Sequence, residues 1–238
     1  DIMMARSISL SEDITKELNQ CLTANGKTFS DLNDNPQLIM DLESALYPSL
    51  KSALDVKYCS GVFVVLDATV NTKTEYADTS RMGIYLRLSD LKAVNTSKQH
   101  VVFFRGNADI ARAEQVQLHN RWNLEFDTSA LSGYEQIMQF DGNRLVESCL
   151  WTDRLELSDT WEDVQLLYVP VLDSTGKVRG LCGMGMRNLY FRLSYPMVEG
   201  SCGNIATVLA PMDKKGNIYL DKACLLYTSP SPRDLSTS

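Results

Sequence analysis

Histidine is almost missing from this chain, with His100 and His119 the only two in 238 residues. Six cysteines, at 21, 59, 149, 182, 202 and 224, form no Cys-x-x-Cys pair. A zinc centre would therefore need an unusual ligand set, and no metal or cofactor is expected. The thiols read as small buried or half-buried hydrophobes, while a disulfide between distant members stays open at this level. No P-loop, GxGxxG, GxSxG or HExxH occurs. A Cys–His nucleophilic pair would have to recruit a histidine from polar surroundings, so no enzyme is expected. No run approaches the roughly 18 apolar residues that span a bilayer, and no signal peptide is visible. Basic residues form no stripe, and with a net charge of -7 and a pI near 4.9 nucleic acid is not an expected partner.

What is present is ordinary globular material, 44% hydrophobic and 22% charged, enough to bury a core. The chain is organised around residues 164–193. There β-branched and aromatic residues flank Asp173-Ser174-Thr175-Gly176, a turn sequence in which Asp and Ser close local hydrogen bonds and Gly permits positive φ. The arms predict an antiparallel hairpin followed by a helix start. Glycines 180, 183 and 185 in the second arm mark a bulge or a close neighbour.

Ile14, Leu18, Cys21 and Leu22 share a helical face, which predicts a first helix over about 8–25. Asn35 before Pro36 caps a second helix over about 36–56, with Leu38, Ile39, Leu42, Leu46, Leu50 and Leu54 on one face and Pro48 as a kink. Val62–Leu66 reads as a central strand and Met82–Leu88 as a half-exposed partner, with Tyr85 and Arg87 opposite Ile84, Leu86 and Leu88. Val101–Phe104 is a further strand, 108–118 and 131–140 read as helical, and Cys149-Leu150-Trp151 opens another strand. Ile205–Leu209 and Ile218–Leu220 flank Asp213–Asn217 as a second hairpin. From Leu225 the composition shifts to that of a disordered tail. The order of elements is that of an α+β domain.

Two long helices leading into GVFVVLDAT, an inserted region with Arg121-Trp122, and then YVPVLDSTGKVRGLCGMGM resemble the double Cache sensor domains of bacterial transmembrane receptors. The likeness covers residues 8–222 and is best over 165–186. It implies long N-terminal helices packed on a PAS-like antiparallel sheet that binds a small molecule, with a smaller membrane-proximal unit after it. The implied division is 1–57 helical region, 58–195 membrane-distal sensor unit, 196–222 the start of a second unit and 223–238 a tail. Cys224–Asp234 is similar to translated sequencing-adapter read-through, and the chain begins with Asp, so it is expected to be an internal fragment.

Amino-acid-binding members carry Arg-x-Trp-Tyr, a later aromatic and an Asp on the last strand. Here Arg121-Trp122-Asn123 departs by one position, Trp151 stands for the later aromatic, and Gly185 occupies the place of the Asp. The resemblance thus implies a carboxylate or a neutral or aromatic ligand rather than a free amino acid. Expected ligand-binding residues are Arg121, Trp122, Trp151, Tyr85, Arg105 and Asp67. Arg121 can clamp a carboxylate bidentately or pair with Glu125 or Asp127. Trp122 and Trp151 can wall a pocket or be plain core, and Asp67 can accept from a ligand or cap a turn. Further expectations are a homodimer through the N-terminal helices, membrane attachment through flanking helices, and an extracytoplasmic position. A cytoplasmic PAS- or GAF-like dimerisation module is the rival.

Overall fold

The computed structural model describes residues 2–55, 59–89, 100–140, 145–152, 155–157, 162–187, 206–210, 212–213 and 215–228. Two helices come first, α1 (Ile2–Ala24) and α2 (Pro36–Ala53). The strands β1 (Gly61–Leu66), β2 (Ser80–Arg81), β3 (Gly83–Leu88) and β4 (Val101–Arg105) precede a short α3 (Ala108–Ala113). Next are β5 (Gln117–Asn123), β6 (Phe126–Asp127), α4 (Tyr134–Met138), β7 (Leu150–Trp151) and β8 (Leu155–Leu157). The long arms β9 (Glu162–Leu172) and β10 (Val178–Arg187) follow, then β11 (Ala206–Leu209) and β12 (Cys224–Thr228).

One sheet orders these as β5-β4-β3-β1-β10-β9, with β7 and β8 both along the far edge of β9. The α+β class holds, with long helices on one side. The sheet is not wholly antiparallel, because β4 and β5 pair in parallel. That pairing corrects the helix expected over 108–118. Gln115 takes a left-handed φ of 55°, which ends α3 and lets residues 117–123 continue as a strand. The expected helix over 131–140 contracts to Tyr134–Met138.

α2 begins as its sequence dictates, with Asn35 Oδ1 accepting from Leu38 N at 3.1 Å, and it continues through Pro48 to Ala53. The central hairpin turns on Asp173. Its Oδ1 accepts from the Thr175 and Lys177 amides at 2.8 and 3.1 Å, and Gly176 supplies φ 81°. Burial alone would raise the Asp173 carboxyl, but bonds from Thr175, Arg179 and Lys177 outweigh it and hold it at about 2. The helix start expected after this hairpin lies outside the described residues.

The sheet has two differently built faces. On one, Val62, Val64, Leu66, Ile84, Leu86, Leu88, Phe103, Leu167, Val169 and Met184 meet the inner stripes of α1 and α2 in the main core. On the other, Phe63, Val65, Tyr85, Phe104, Leu166, Tyr168 and Leu181 gather with Phe126, Leu131, Tyr134 and Ile137 from the inserted region. Strand pleating produces the division, since alternate residues of each strand point oppositely.

Beyond Tyr168, where β7 stops, the outer edge of β9 is closed by α1. Ser11 Oγ donates to Pro170 O at 2.6 Å. Thr15 Oγ1 accepts from Leu172 N at 3.3 Å and Asn19 Oδ1 from Ser174 N at 3.0 Å. A proline fits here because that edge asks nothing of its missing N–H.

β11 pairs with β12 rather than with residues 218–220. Asp213 closes its turn on the Lys215 and Asn217 amides at 2.8 and 2.9 Å, and only a single bridge, Met212 to Ile218, follows. Cys224–Thr228, the start of the expected tail, is therefore a strand; residues 229–238 lie outside the described residues.

Candidate functional site

The face away from the helices holds the chain's concentration of buried cations. Tyr85 and Arg87 point there from β3, as their alternation predicts. On β10, Arg187 shares the parity of Leu181, Gly183 and Gly185. Arg87 is 2% exposed although it carries a guanidinium, and Arg105 and Arg187 are buried as well. Burial lowers Arg87 to about 10; neighbouring Tyr85 opposes the shift and the like charge of Arg187 adds to it.

Glycine makes room for these side chains. Gly61 of β1 lies between Arg87 on β3 and Gly185 on β10, so two adjacent positions at the centre of the face carry no side chain. A Cβ on Gly61 would sit 3.0 Å from Tyr85 Cε2 and 3.1 Å from Arg87 Cγ. Its absence lets both groups lie across β1. Arg187 spans the same strand, its Nη2 donating to Leu88 O at 2.6 Å.

Aromatic rings surround these buried groups. Phe63 meets Tyr85 and Tyr168 edge-on, with centroids 6.1 and 5.7 Å apart. Phe104 carries the Arg87 guanidinium over its ring, 4.5 Å from the centroid, and the His119 imidazole stacked at 3.9 Å. Burial raises Tyr85, against the pull of Arg87, Arg187 and Arg105. Burial lowers His119, assisted by Arg87, Arg121 and Arg105. Tyr168 is fully buried with no hydrogen bond to its hydroxyl among the described residues, and burial pushes that hydroxyl up. The cluster brings guanidinium, phenol and imidazole groups together with rings they can stack on.

The six expected site residues separate. Tyr85 and Arg105 belong to this site, Arg105 Nη1 donating to Phe104 O and Arg121 O at 2.8 and 3.0 Å. Arg121 lies on β5 at the exposed rim, its amide donating to His119 Nδ1 at 3.2 Å. The two carboxylates considered as its local partners have other donors. Glu125 accepts from Thr69 Oγ1, Val70 N and Ser80 Oγ, and Asp127 caps Ser129.

Trp122 stands on the helix-covered side, packed against the main core, with Nε1 donating to Gly106 O at 2.9 Å. Trp151 sits at the sheet edge, 41% exposed, opposite Leu167 rather than on the aromatic face. Asp67 is at the far end of β1, bonded to Arg81 Nε at 2.6 Å. Sequence reasoning missed Arg87, Arg187, His119, Phe104 and Tyr168. Alternation had already put Arg87 beside Tyr85, and that was the available signal. Among the described residues no three His, Cys, Asp or Glu side chains group as metal ligands.

No protein-family model and no curated relative matches the chain. Two solved structures are similar to it. The periplasmic sensory domain of the Campylobacter jejuni chemoreceptor Tlp1 is 12% identical with a TM-score of 0.46, over 87% of this chain and 63% of that one. A methyl-accepting chemotaxis protein X is 14% identical with a TM-score of 0.39, over 96% of this chain and 73% of that one. The chain therefore spans less than two thirds of the Campylobacter domain.

Proposed function

We propose that this chain is the ligand-sensing part of a bacterial signalling receptor of the double Cache type. A small molecule binds at the cluster of Arg87, Arg187 and Tyr85, and α1 carries the result away. One observation supports this most: the sheet commits one face to helices and gathers buried guanidinium and phenol groups among aromatic rings on the other, beside Gly61 and Gly185. Guanidinium groups clamp carboxylates and stack on rings, and Arg87 already does the second against Phe104. The fitting ligand carries a carboxylate, an aromatic ring, or both. β9 links site to output, because it presents Leu166 and Tyr168 to the site while its edge is bonded to α1.

In this reading the chain is not an enzyme. Two copies pair through the outer side of α1, and flanking helices hold the unit outside the membrane. No described helix is itself long and apolar enough to cross one.

A thermal-shift series at constant shape tests the ligand claim: butyrate, succinate, 4-aminobutyrate and putrescine, with benzoate as the aromatic member. Melting should rise with butyrate, succinate or benzoate and stay fixed with putrescine. A rise with putrescine alone would reverse the proposed charge preference, and no rise with any compound would remove small-molecule sensing.

One observation favours the rival cytoplasmic PAS- or GAF-like module: the described cysteines Cys21, Cys59, Cys149 and Cys182 are free thiols, as a reducing compartment would leave them. Fusion to an export reporter separates the two, since the receptor reading requires exported protein to fold and keep its ligand response.

A further inference from the structure

The three bonds from α1 come from Ser11, Thr15 and Asn19, one residue per helical turn, and fall on Pro170 and Leu172 of β9 and on Ser174 in the turn after it. Four helical residues rise about 6.0 Å and two strand residues about 6.7 Å. The helix therefore falls behind the strand by a fraction of an ångström at each rung. The serine and threonine hydroxyls reach equally far from Cβ, and the asparagine amide, at the last rung, reaches one bond farther.

The next position back on this ladder is Ser7. It is fully buried, and its hydroxyl has no hydrogen-bond partner among the described residues. A buried orphan hydroxyl costs free energy that an alanine would avoid. The apolar stripe beside the ladder repeats at the same interval, through Leu10, Ile14, Leu18 and Leu22, all buried.

We propose that α1 has two registers on β9, one helical turn apart. In the second, Ser7 donates to Pro170 O, Ser11 accepts from Leu172 N and Thr15 from Ser174 N. The step is self-consistent along the helix. Leu10, Ile14 and Leu18 inherit the sites of Ile14, Leu18 and Leu22. Arg6 enters the vacated site of Leu10, where its stem can lie while its head stays in the neighbouring polar groove of about 590 Å³, lined also by Asp13 and Asp55. The turn after the helix, with Gly26 at φ 61° and open space where a Cβ would stand, takes up the displacement.

The resting register is favoured, because in the other Arg6 takes the buried apolar site of Leu10. Packed elements prefer such discrete steps to continuous sliding. That ligand on the opposite face of β9 biases the step rests on the sensor reading; the existence of two registers does not.

Cys182 supplies the probe, since it is buried in the core that α1 covers and pairs with Val169, the neighbour of the Pro170 that Ser11 bonds. In the full chain carrying Cys149→Ser, which removes the thiol nearest in charge influence, a second substitution Ser11→Cys, Ser7→Cys or Met3→Cys is introduced. Each variant is oxidised with dipyridyl disulfide and its cross-links are mapped by peptide mass. Ser11→Cys should join Cys182 fastest, Ser7→Cys about tenfold more slowly, and Met3→Cys not at all in that period. Amide exchange at Leu172 and Ser174 should stay slow throughout, because both registers bond them.

No Ser7→Cys cross-link overturns the proposal. So do equal rates for Ser7→Cys and Met3→Cys, or fast exchange at both amides, either of which would mean that α1 detaches rather than steps. No ligand is used, so failure here leaves the thermal-shift test of sensing untouched.

Discussion

The two faces of the central sheet are made from the same strands and solve different problems. On the helix side, aliphatic residues from five strands interlock with α1 and α2, and one methylene is worth much the same wherever it is buried. On the far side the strands place Arg87, Arg187, Tyr85 and Tyr168 around two glycines, an arrangement that gains little from area and much from where each polar group sits. Burying a guanidinium costs free energy that apolar packing would not. The helix face therefore gains from apolar area alone, and the far face sets the cost of its buried guanidinium groups against its own apolar cluster.

Truncation on the helix face should have the largest effect and tests the first half of that contrast. Leu42 is fully buried between α2 and the sheet, and Leu42→Ala should lose about 2–5 kcal/mol in denaturant unfolding. A loss below about 1 kcal/mol would mean that this face is not the stabilising one.

Glu43, next to it, is the exception on the helix side. Its carboxylate is buried, with Oε2 accepting from Asn107 N at 2.8 Å. Burial raises it to about 8, against the Asn107 and Gly83 amides and with the charge of Glu125 adding to the rise. Because the folded value lies above the unfolded 4.5, its stabilising contribution is complete below about pH 4.5 and is lost as pH rises through about 8. Unfolding free energy should fall across that window, by an amount on the order of a few kcal/mol. Glu43→Gln should flatten the fall. An unchanged slope in the variant would assign the pH dependence to another group.

The far face should respond in the opposite sense. Arg87→Met keeps much of the side-chain volume while deleting a buried charge, and such replacements are often neutral or stabilising. Melting temperature should hold or rise while the shift induced by butyrate, succinate or benzoate disappears. A large drop in stability with the ligand response intact would make Arg87 a structural residue and erase the contrast between the faces.

The helix face was legible in the sequence because its signal is local. Leucines at three and four residue spacing give α1 and α2, and Asn35-Pro36 gives the start of the second. The hairpin at Asp173 was legible for the same reason. The far face was only half legible. Alternation put Tyr85 and Arg87 together, but their meeting with Gly61, Gly185 and Arg187 depends on β1 lying between β3 and β10, contacts between positions far apart in the chain. β5 was misread because a left-handed Gln115 ends the preceding helix early, and with it went the side to which Trp122 points.

Trp151 gives the smallest expected effect and the sharpest limit on the site. The two-residue β7 pairs with β9 so that Leu150 shares the side of Tyr168 and Trp151 that of Leu167. The indole therefore stands at an edge on the helix side, 41% exposed, too open to contribute much apolar stabilisation. Trp151→Ala should change stability by less than about 0.5 kcal/mol, as surface substitutions usually do, and should leave every thermal shift in place. If it instead abolished the ligand response with the fold intact, the binding surface would have to extend around the edge of β9 to the helix side. The division of labour between the faces would then fail at the strand on which both depend.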